Sequence, residues 1–275
     1  MTTLSPILKR VLDRRPQPLV WPPFKIGHRG AAGEAPENTL VSFELALRQG
    51  ADGIEFDVQL SSDGVPVVVH DARLTRTTSG NGWVWEHRAS VLHRLDAGSW
   101  FNRRHRLRAR ERYAGARIPL LAEVLQWGNA RQCLAFVEIK DFRPGVTARI
   151  LQEIERAGLE HLARVVSFDL PSLQQARKLS EQARLGLDFS GRLLPIRRAL
   201  AFGAEALLPY WAIASRRLIR RAHREGLQVI PWTVNYPSHM RRKILDGVDG
   251  LITNYPARLT EVLNRIEQAR RELKQ

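Results

Sequence analysis

Short runs of β-branched and other apolar residues alternate along the chain with stretches in which apolar positions recur every three or four residues. The first pattern reads as buried strand and the second as amphipathic helix. Strands are predicted at 24–28, 53–60, 134–140, 164–167, 183–187, 206–208, 228–234 and 250–253. Helical stretches fall between most of them, for example at 39–49, 147–157, 170–180 and 216–225. A last segment, 256–274, carries Leu259, Val262, Leu263, Ile266 and Leu273 on one face and reads as a closing amphipathic helix. Strand and helix in alternation imply a parallel sheet. Eight such units predict an α/β fold closed as a (β/α)₈ TIM barrel rather than an open sheet.

One element breaks the rhythm. The run 53–60 is followed by Ser61-Ser62-Asp63-Gly64 and a second β-rich run, 65–70. Asp-Gly between two such runs is a hairpin signal, so the second barrel strand is expected to fold back on itself. With Asp63 and Gly64 as the two turn residues His70 falls opposite Asp57; with the turn one residue earlier it falls opposite Glu55. Residues from about 71 to 119 form an insertion too long for a plain connection, rich in Thr, Gly, Trp and Arg. The predicted organisation is an N-terminal basic amphipathic extension, 1–23, followed by one barrel domain, 24–275, that contains this insertion.

Composition narrows the class. In 275 residues, 44% are hydrophobic and 26% charged, which predicts a packed core rather than disorder. The single cysteine, Cys133, excludes an internal disulfide and fits a reducing, cytoplasmic setting. No apolar run approaches the roughly 20 residues that span a bilayer. The first fifteen residues lack the pattern of a signal peptide. They place Leu4, Ile7, Leu8, Val11 and Leu12 at helical spacing among Lys9, Arg10, Arg14 and Arg15. A helix packed across the barrel bottom is the first reading of that segment, and weak association with an anionic membrane surface is the second.

There are 43 Lys and Arg against 28 Asp and Glu, a net charge of +15. Such a field attracts phosphates and anionic surfaces. The basic clusters at 103–112, 216–224 and 241–243 hold few of the aromatics that stack on bases, and no nucleic-acid motif is present, so no nucleic-acid partner is expected. The sequence carries no signal for an oligomeric state.

Candidate chemistry collects at the strand ends. Glu55 and Asp57 alternate with Ile54, Phe56 and Val58, so both acids face one side of one strand. Either that side meets solvent, or a positive partner lies between the acids; a divalent cation, Mg²⁺ or Ca²⁺, suits oxygen ligands of this kind. The hairpin brings His70 beside them. The first strand ends in Gly27-His28-Arg29-Gly30, at the barrel end where active sites form. His28 and His70 suit acid–base work, and Arg29 offers a planar fork for a phosphate. Glu138 and Lys140 share a face at the third strand's end. They form either a simple ion pair or a third carboxylate and a phosphate contact. A cation with cationic side chains and two imidazoles is equipment for cleaving a phosphoryl ester.

At these residues the sequence resembles the glycerophosphodiester phosphodiesterase family. The matching segments include His28-Arg29-Gly30, Pro36-Glu37-Asn38-Thr39, Glu55-Phe56-Asp57, His70-Asp71, Glu138-Ile139-Lys140, Trp232-Thr233-Val234-Asn235 and Gly250-Leu251-Ile252-Thr253, in order along the chain. The resemblance implies an α/β barrel with an insertion after the hairpin, and one divalent cation held by Glu55, Asp57 and Glu138. It further implies His28 and His70 as the acid–base pair, with Arg29 and Lys140 as phosphate contacts. The implied substrate is a small-molecule glycerophosphodiester, cleaved to glycerol 3-phosphate and an alcohol through a cyclic phosphate. Asn254 stands where the family often has Asp, a change expected to have a small effect. A second substrate class on the same barrel is lysophospholipid, its acyl chain held by Trp83, Trp85, Trp100 and Phe101 of the insertion. The other class of function is a binding module without catalysis, and the presence of His28, Glu55, Asp57, His70 and Glu138 speaks against it.

Overall fold

The computed structural model describes residues 18–105, 113–191 and 195–272. The anticipated N-terminal helix and most of the 103–112 basic run lie outside them. Strands β1 (Phe24–His28), β2 (Gly53–Leu60), β4 (Leu134–Ile139), β5 (Ala163–Ser167), β6 (Leu185–Phe189), β7 (Ala206–Pro209), β8 (Gln228–Val229) and β9 (Gly250–Thr253) pair in parallel in the order β8-β7-β6-β5-β4-β2-β1-β9. The ring closes through backbone hydrogen bonds between the ends of that path: Asp249 N–H to Val229 O at 3.0 Å and Ile252 N–H to Pro231 O at 3.0 Å. The strand forecast at 228–234 is shortened to two residues because Pro231 has no N–H to give the ladder. The sixth strand starts two residues later than anticipated; the Ala183 carbonyl is taken by Arg177 Nη2 at 2.9 Å.

Parity along the strands divides the molecule. Ile54, Phe56 and Val58 of β2 and Ala135, Val137 and Ile139 of β4 point outward, into the main core beneath the helices. Around that core lie α1 (Leu40–Arg48), α4 (Leu121–Asn129), α5 (Val146–Arg156), α6 (Leu170–Leu179), α7 (Pro195–Ala201), α8 (Arg216–Arg224), α9 (Pro237–Asp246) and α10 (Pro256–Glu272). The alternate residues point into the barrel. There Ile26, Phe136, Val166, Leu208 and Ile252 make a small apolar plug, so the interior is filled below and leaves room only at the top. Residues 18–23, the end of the anticipated extension, are tied to the barrel bottom: Asp249 Oδ1 accepts from Leu19 N–H at 2.6 Å and Val20 N–H at 3.2 Å.

The hairpin forms, with a different register. Strand β3 (Pro66–Val68) pairs antiparallel with β2, joining Val58 to Val68, Gln59 to Val67 and Leu60 to Pro66. This lies between the two anticipated registers; continued, it sets His70 opposite Phe56, not Asp57 or Glu55. The cause is the loop. Ser62, Asp63 and Gly64 form a three-residue turn, closed by Ser61 N–H to Val65 O at 3.0 Å, with Gly64 supplying the left-handed position (φ 74°) that such turns require. The insertion then builds its own core from Leu74, Val84, Leu92 and Ile118, with α2 (Ala89–Leu92) at its edge. On α3 (Ser99–Arg104), Trp100 and Phe101 pack against Ala35 and Tyr113.

Candidate active site

Three carboxylates converge on the inward face. Asp57 of β2 pairs across the sheet with Glu138 of β4, and Glu55 lies two residues back on β2. One oxygen from each lies within 4.8 Å of the others. Asp57 is 0%, Glu55 4% and Glu138 7% exposed, which rules out solvent-facing acids. Glu55 Oε1 has no hydrogen-bond partner. A buried, all-oxygen donor set with an orphaned carboxylate oxygen suits a hard divalent cation.

Two cations hold this cluster together. Arg29 Nε lies 3.0 Å from Asp57 Oδ2, and Lys140 Nζ lies 2.7 Å from Glu138 Oε1 and 3.6 Å from Asp57 Oδ1. Asn38 Nδ2 donates to Asp57 Oδ2 at 2.8 Å, and the Arg29 N–H donates to Glu55 Oε2 at 3.1 Å. The three acids respond differently. Burial pushes Asp57 up, but Arg29, His70, Lys140 and the Asn38 hydrogen bond together outweigh it and hold that carboxyl below the usual range. Burial and the Asp57 charge push Glu138 up to about 8. Burial, Asp57 and Glu138 raise Glu55 well above its ordinary value.

The local sequence explains how Arg29 reaches the cluster. Arg29 has a φ of 52° and Gly30 a φ of 84°. A Cβ at Gly30 would lie 2.4 Å from Ser42 Oγ and 2.6 Å from the Ser42 carbonyl carbon, so only glycine lets the chain turn this closely over α1. That turn leaves His28 at the top of β1. Its Nδ1 lies 2.6 Å from Asn254 Oδ1 and its Nε2 3.9 Å from Glu55 Oε2. With the Asn254 oxygen as acceptor, Nδ1 carries the proton and Nε2 keeps a lone pair toward the site. Burial, then the neighbouring Arg29 charge, lowers the His28 imidazole to about 4. Asn254 is itself placed by its N–H, which donates to Asn235 Oδ1 at 2.9 Å.

His70 is held differently. Its Nδ1 lies 2.6 Å from Asp71 Oδ1. Arg76 ties Asp71 to Glu37, and Glu37 Oε1 also accepts from Arg29 Nη1 at 2.8 Å. A chain of charges thus runs from His70 to Arg29.

The cavity at the barrel mouth measures about 90 Å³. His28, Arg29, Glu55, Glu138, Lys140, Phe168, Asp188, Trp232 and Ile252 line it. Asp57 is fully buried in the cluster, and His70 is not among the lining residues; it acts on Asp57 through charge. Glu138 and Lys140 are an ion pair and part of the cluster together.

Several site residues escaped the sequence reading. Glu37 precedes the first helix, where an acid is common for its own sake, and so carries no signal of a site. Asn38, which holds Asp57, is an amide with no charge signature, and Asn254, noted in the sequence only as a departure from the family's usual Asp, holds His28. Asp188 sits on β6, whose forecast end at 187 fell two residues short of Phe189; a polar residue between Leu187 and Phe189 at a strand's top end was the available signal. The four insertion aromatics proposed for an acyl chain do not line the cavity: Trp100 and Phe101 are buried, and Trp83 stacks on Trp85 at 4.7 Å. The remaining described histidines are satisfied or exposed; His223, for example, contacts Asp249 at 2.8 Å.

Among the described residues no helix is long and apolar enough to cross a membrane. The profile of the Glycerophosphoryl diester phosphodiesterase family matches residues 28–258. A glycerophosphodiester phosphodiesterase of Caldanaerobacter subterraneus subsp. tengcongensis is 35% identical over 244 residues, 87% of this chain and 97% of the relative. One from Bacillus subtilis is 32% identical over 246 residues, 84% of this chain and 83% of the relative. Among solved structures, an Oleispira antarctica phosphodiesterase in complex with sn-glycerol 3-phosphate superposes with a TM-score of 0.80 at 27% identity, covering 92% of this chain and 99% of its own. The barrel, the ordered motifs and these matches agree: the chain belongs to the glycerophosphoryl diester phosphodiesterase family and is a phosphoric diester hydrolase.

Proposed function

We propose that the chain hydrolyses glycerophosphodiesters to glycerol 3-phosphate and an alcohol. The observation that carries this reading is the buried Glu55–Asp57–Glu138 cluster, set against Arg29 and Lys140 in one cavity with His28. Glu55, Asp57 and Glu138 hold the divalent cation. When bound, that cation supplies charge for the phosphoryl oxygens, which stabilises the transition state.

The chain's own residues do the rest. Arg29 and Lys140 meet the phosphate, the first as a fork and the second as a point charge, sharing their charge between substrate and carboxylates. His28 stays neutral near pH 7 and presents Nε2, so it accepts the proton of the attacking hydroxyl. His70, oriented by Asp71 and set just outside the lining of the cavity, gives a proton to the leaving oxygen of an alcohol that extends past the lining toward it. The aromatic wall of Phe168 and Trp232, in edge contact at 5.4 Å, excludes water from one side of the cavity.

The deciding experiment is release of glycerol 3-phosphate from glycerophosphocholine, with and without EDTA, then with Mg²⁺ or Ca²⁺ restored. Release that EDTA stops and a cation restores is the expected result. No release with any cation overturns the reading and moves the assay to lysophospholipids.

A further inference from the structure

Among the described residues that line the cavity, Asp188 is the carboxylate that the proposed chemistry does not use. It is 5% exposed, its Oδ2 has no hydrogen-bond partner, and it lines the same cavity as His28, Glu55 and Lys140. Strand parity requires this placement: Leu187 packs into the outer core, so Asp188 must point inward, level with Leu208 on β7. The acid lies outside the cluster whose oxygens converge within 4.8 Å, so it is not one of those ligands. An unpaired buried carboxylate costs stability, and a site retains one where a ligand completes its hydrogen bonding.

The surroundings identify the ligand chemistry. Phe168 and Trp232, in edge contact at 5.4 Å, line the cavity together with Asp188, and Lys140 Nζ lies 5.5 Å from the Phe168 ring centroid. An unpaired acid and two aromatic rings lining one small cavity fit a small hydroxylated carbon chain: C–H groups pack on the rings and a hydroxyl donates to the acid. A bare alkyl arm would leave the acid unpaired, and a cationic arm would meet only one of its needs.

We propose that Asp188 is the hydroxyl-reading residue of the site, accepting a hydrogen bond from the glyceryl arm of the substrate and so selecting polyol phosphodiesters over alkyl ones. This rests on the phosphodiesterase reading for its substrate but is tested by binding, apart from turnover.

The test compares the affinity of the cation-loaded protein for sn-glycerol 3-phosphate and for n-propyl phosphate, which has the same carbon chain and no hydroxyl. The wild type is expected to prefer glycerol 3-phosphate by about tenfold or more, the range for leaving a buried polar group without its hydrogen bond. Asp188→Ala should bring that ratio close to one. Asp188→Asn, of the same size, should keep part of it. Any change of charge at position 188 acts on both phosphates alike, so the ratio separates hydrogen bonding from simple electrostatics. A wild-type ratio near one, or a ratio unchanged in Asp188→Ala, overturns the proposal. A wild type that shows the Asp188-dependent preference yet cleaves no glycerophosphodiester keeps the subsite and overturns the activity instead.

Discussion

Arg29 Nε lies 3.0 Å from Asp57 Oδ2, inside a cluster of three buried carboxylates, and the same guanidinium reaches Glu37. Arg29 is therefore both a phosphate contact in the proposed reaction and a counter-charge of the resting fold. Removing one member of a buried pair leaves the other uncompensated, at a cost of about 3–5 kcal/mol. Arg29→Ala should thus be strongly destabilised in EDTA and less so when Mg²⁺ or Ca²⁺ is supplied. Chemical denaturation with and without the cation reads this directly; equal loss in both conditions would contradict a shared role.

The carboxylates and His28 should separate cleanly. Glu55→Ala or Asp57→Ala is expected to abolish turnover together with cation binding. His28→Ala should lose turnover by about a hundredfold or more while cation binding persists. Titration calorimetry alongside the glycerol 3-phosphate assay distinguishes them. Wild-type turnover in either carboxylate variant would refute the proposed site.

Acid–base linkage gives a third expectation. In the cation-free fold Glu138 sits at about 8, above its ordinary 4.5. Between those values the folded chain keeps a proton that the unfolded chain has lost. The contribution to stability is full below about pH 4.5 and is lost as pH rises through about 8. Stability in EDTA should therefore fall between pH 5 and 8. A cation displaces the same proton, so its affinity should weaken about tenfold for each unit below pH 8, with proton release on binding. Calorimetry in two buffers of different protonation enthalpy measures that release; none at pH 7 would count against the assignment.

Asn254 should matter more than a single lost acid suggests. It accepts from His28 Nδ1, and replacing it with Leu removes what fixes that tautomer, with kcat expected to fall about tenfold or more. Asn254→Asp keeps an acceptor but adds a charge that favours the imidazolium. The His28 imidazole then rises from about 4, and a base that must be neutral is lost at higher pH. The acid limb of the kcat/KM profile should shift upward; an unmoved limb would show that His28 does not act as the base.

Much of this molecule is written locally. The period-two runs that become β1, β2, β4 and β9 set which residues face inward, so Glu55 and Asp57 share a face by chain geometry alone. The same holds for Glu138 on β4. Alternation of strand and helix was enough to define the barrel, because a parallel neighbour demands a crossover and the crossover demands a helix.

What the tertiary structure decided is which neighbours those residues meet. Asp188 joins the mouth only because closure of the eight-strand ring brings β6 across from β1, and Asn254 meets His28 across a separation of 226 residues. The hairpin register turned on one residue in a loop, where Gly64 made the turn three residues long and moved His70 off the ladder position facing Asp57. Hydrophobic periodicity encodes the direction of a side chain relative to its own element. The charge it meets, and hence its protonation, depends on the packing of elements far apart in the chain, and only the closed barrel specifies that.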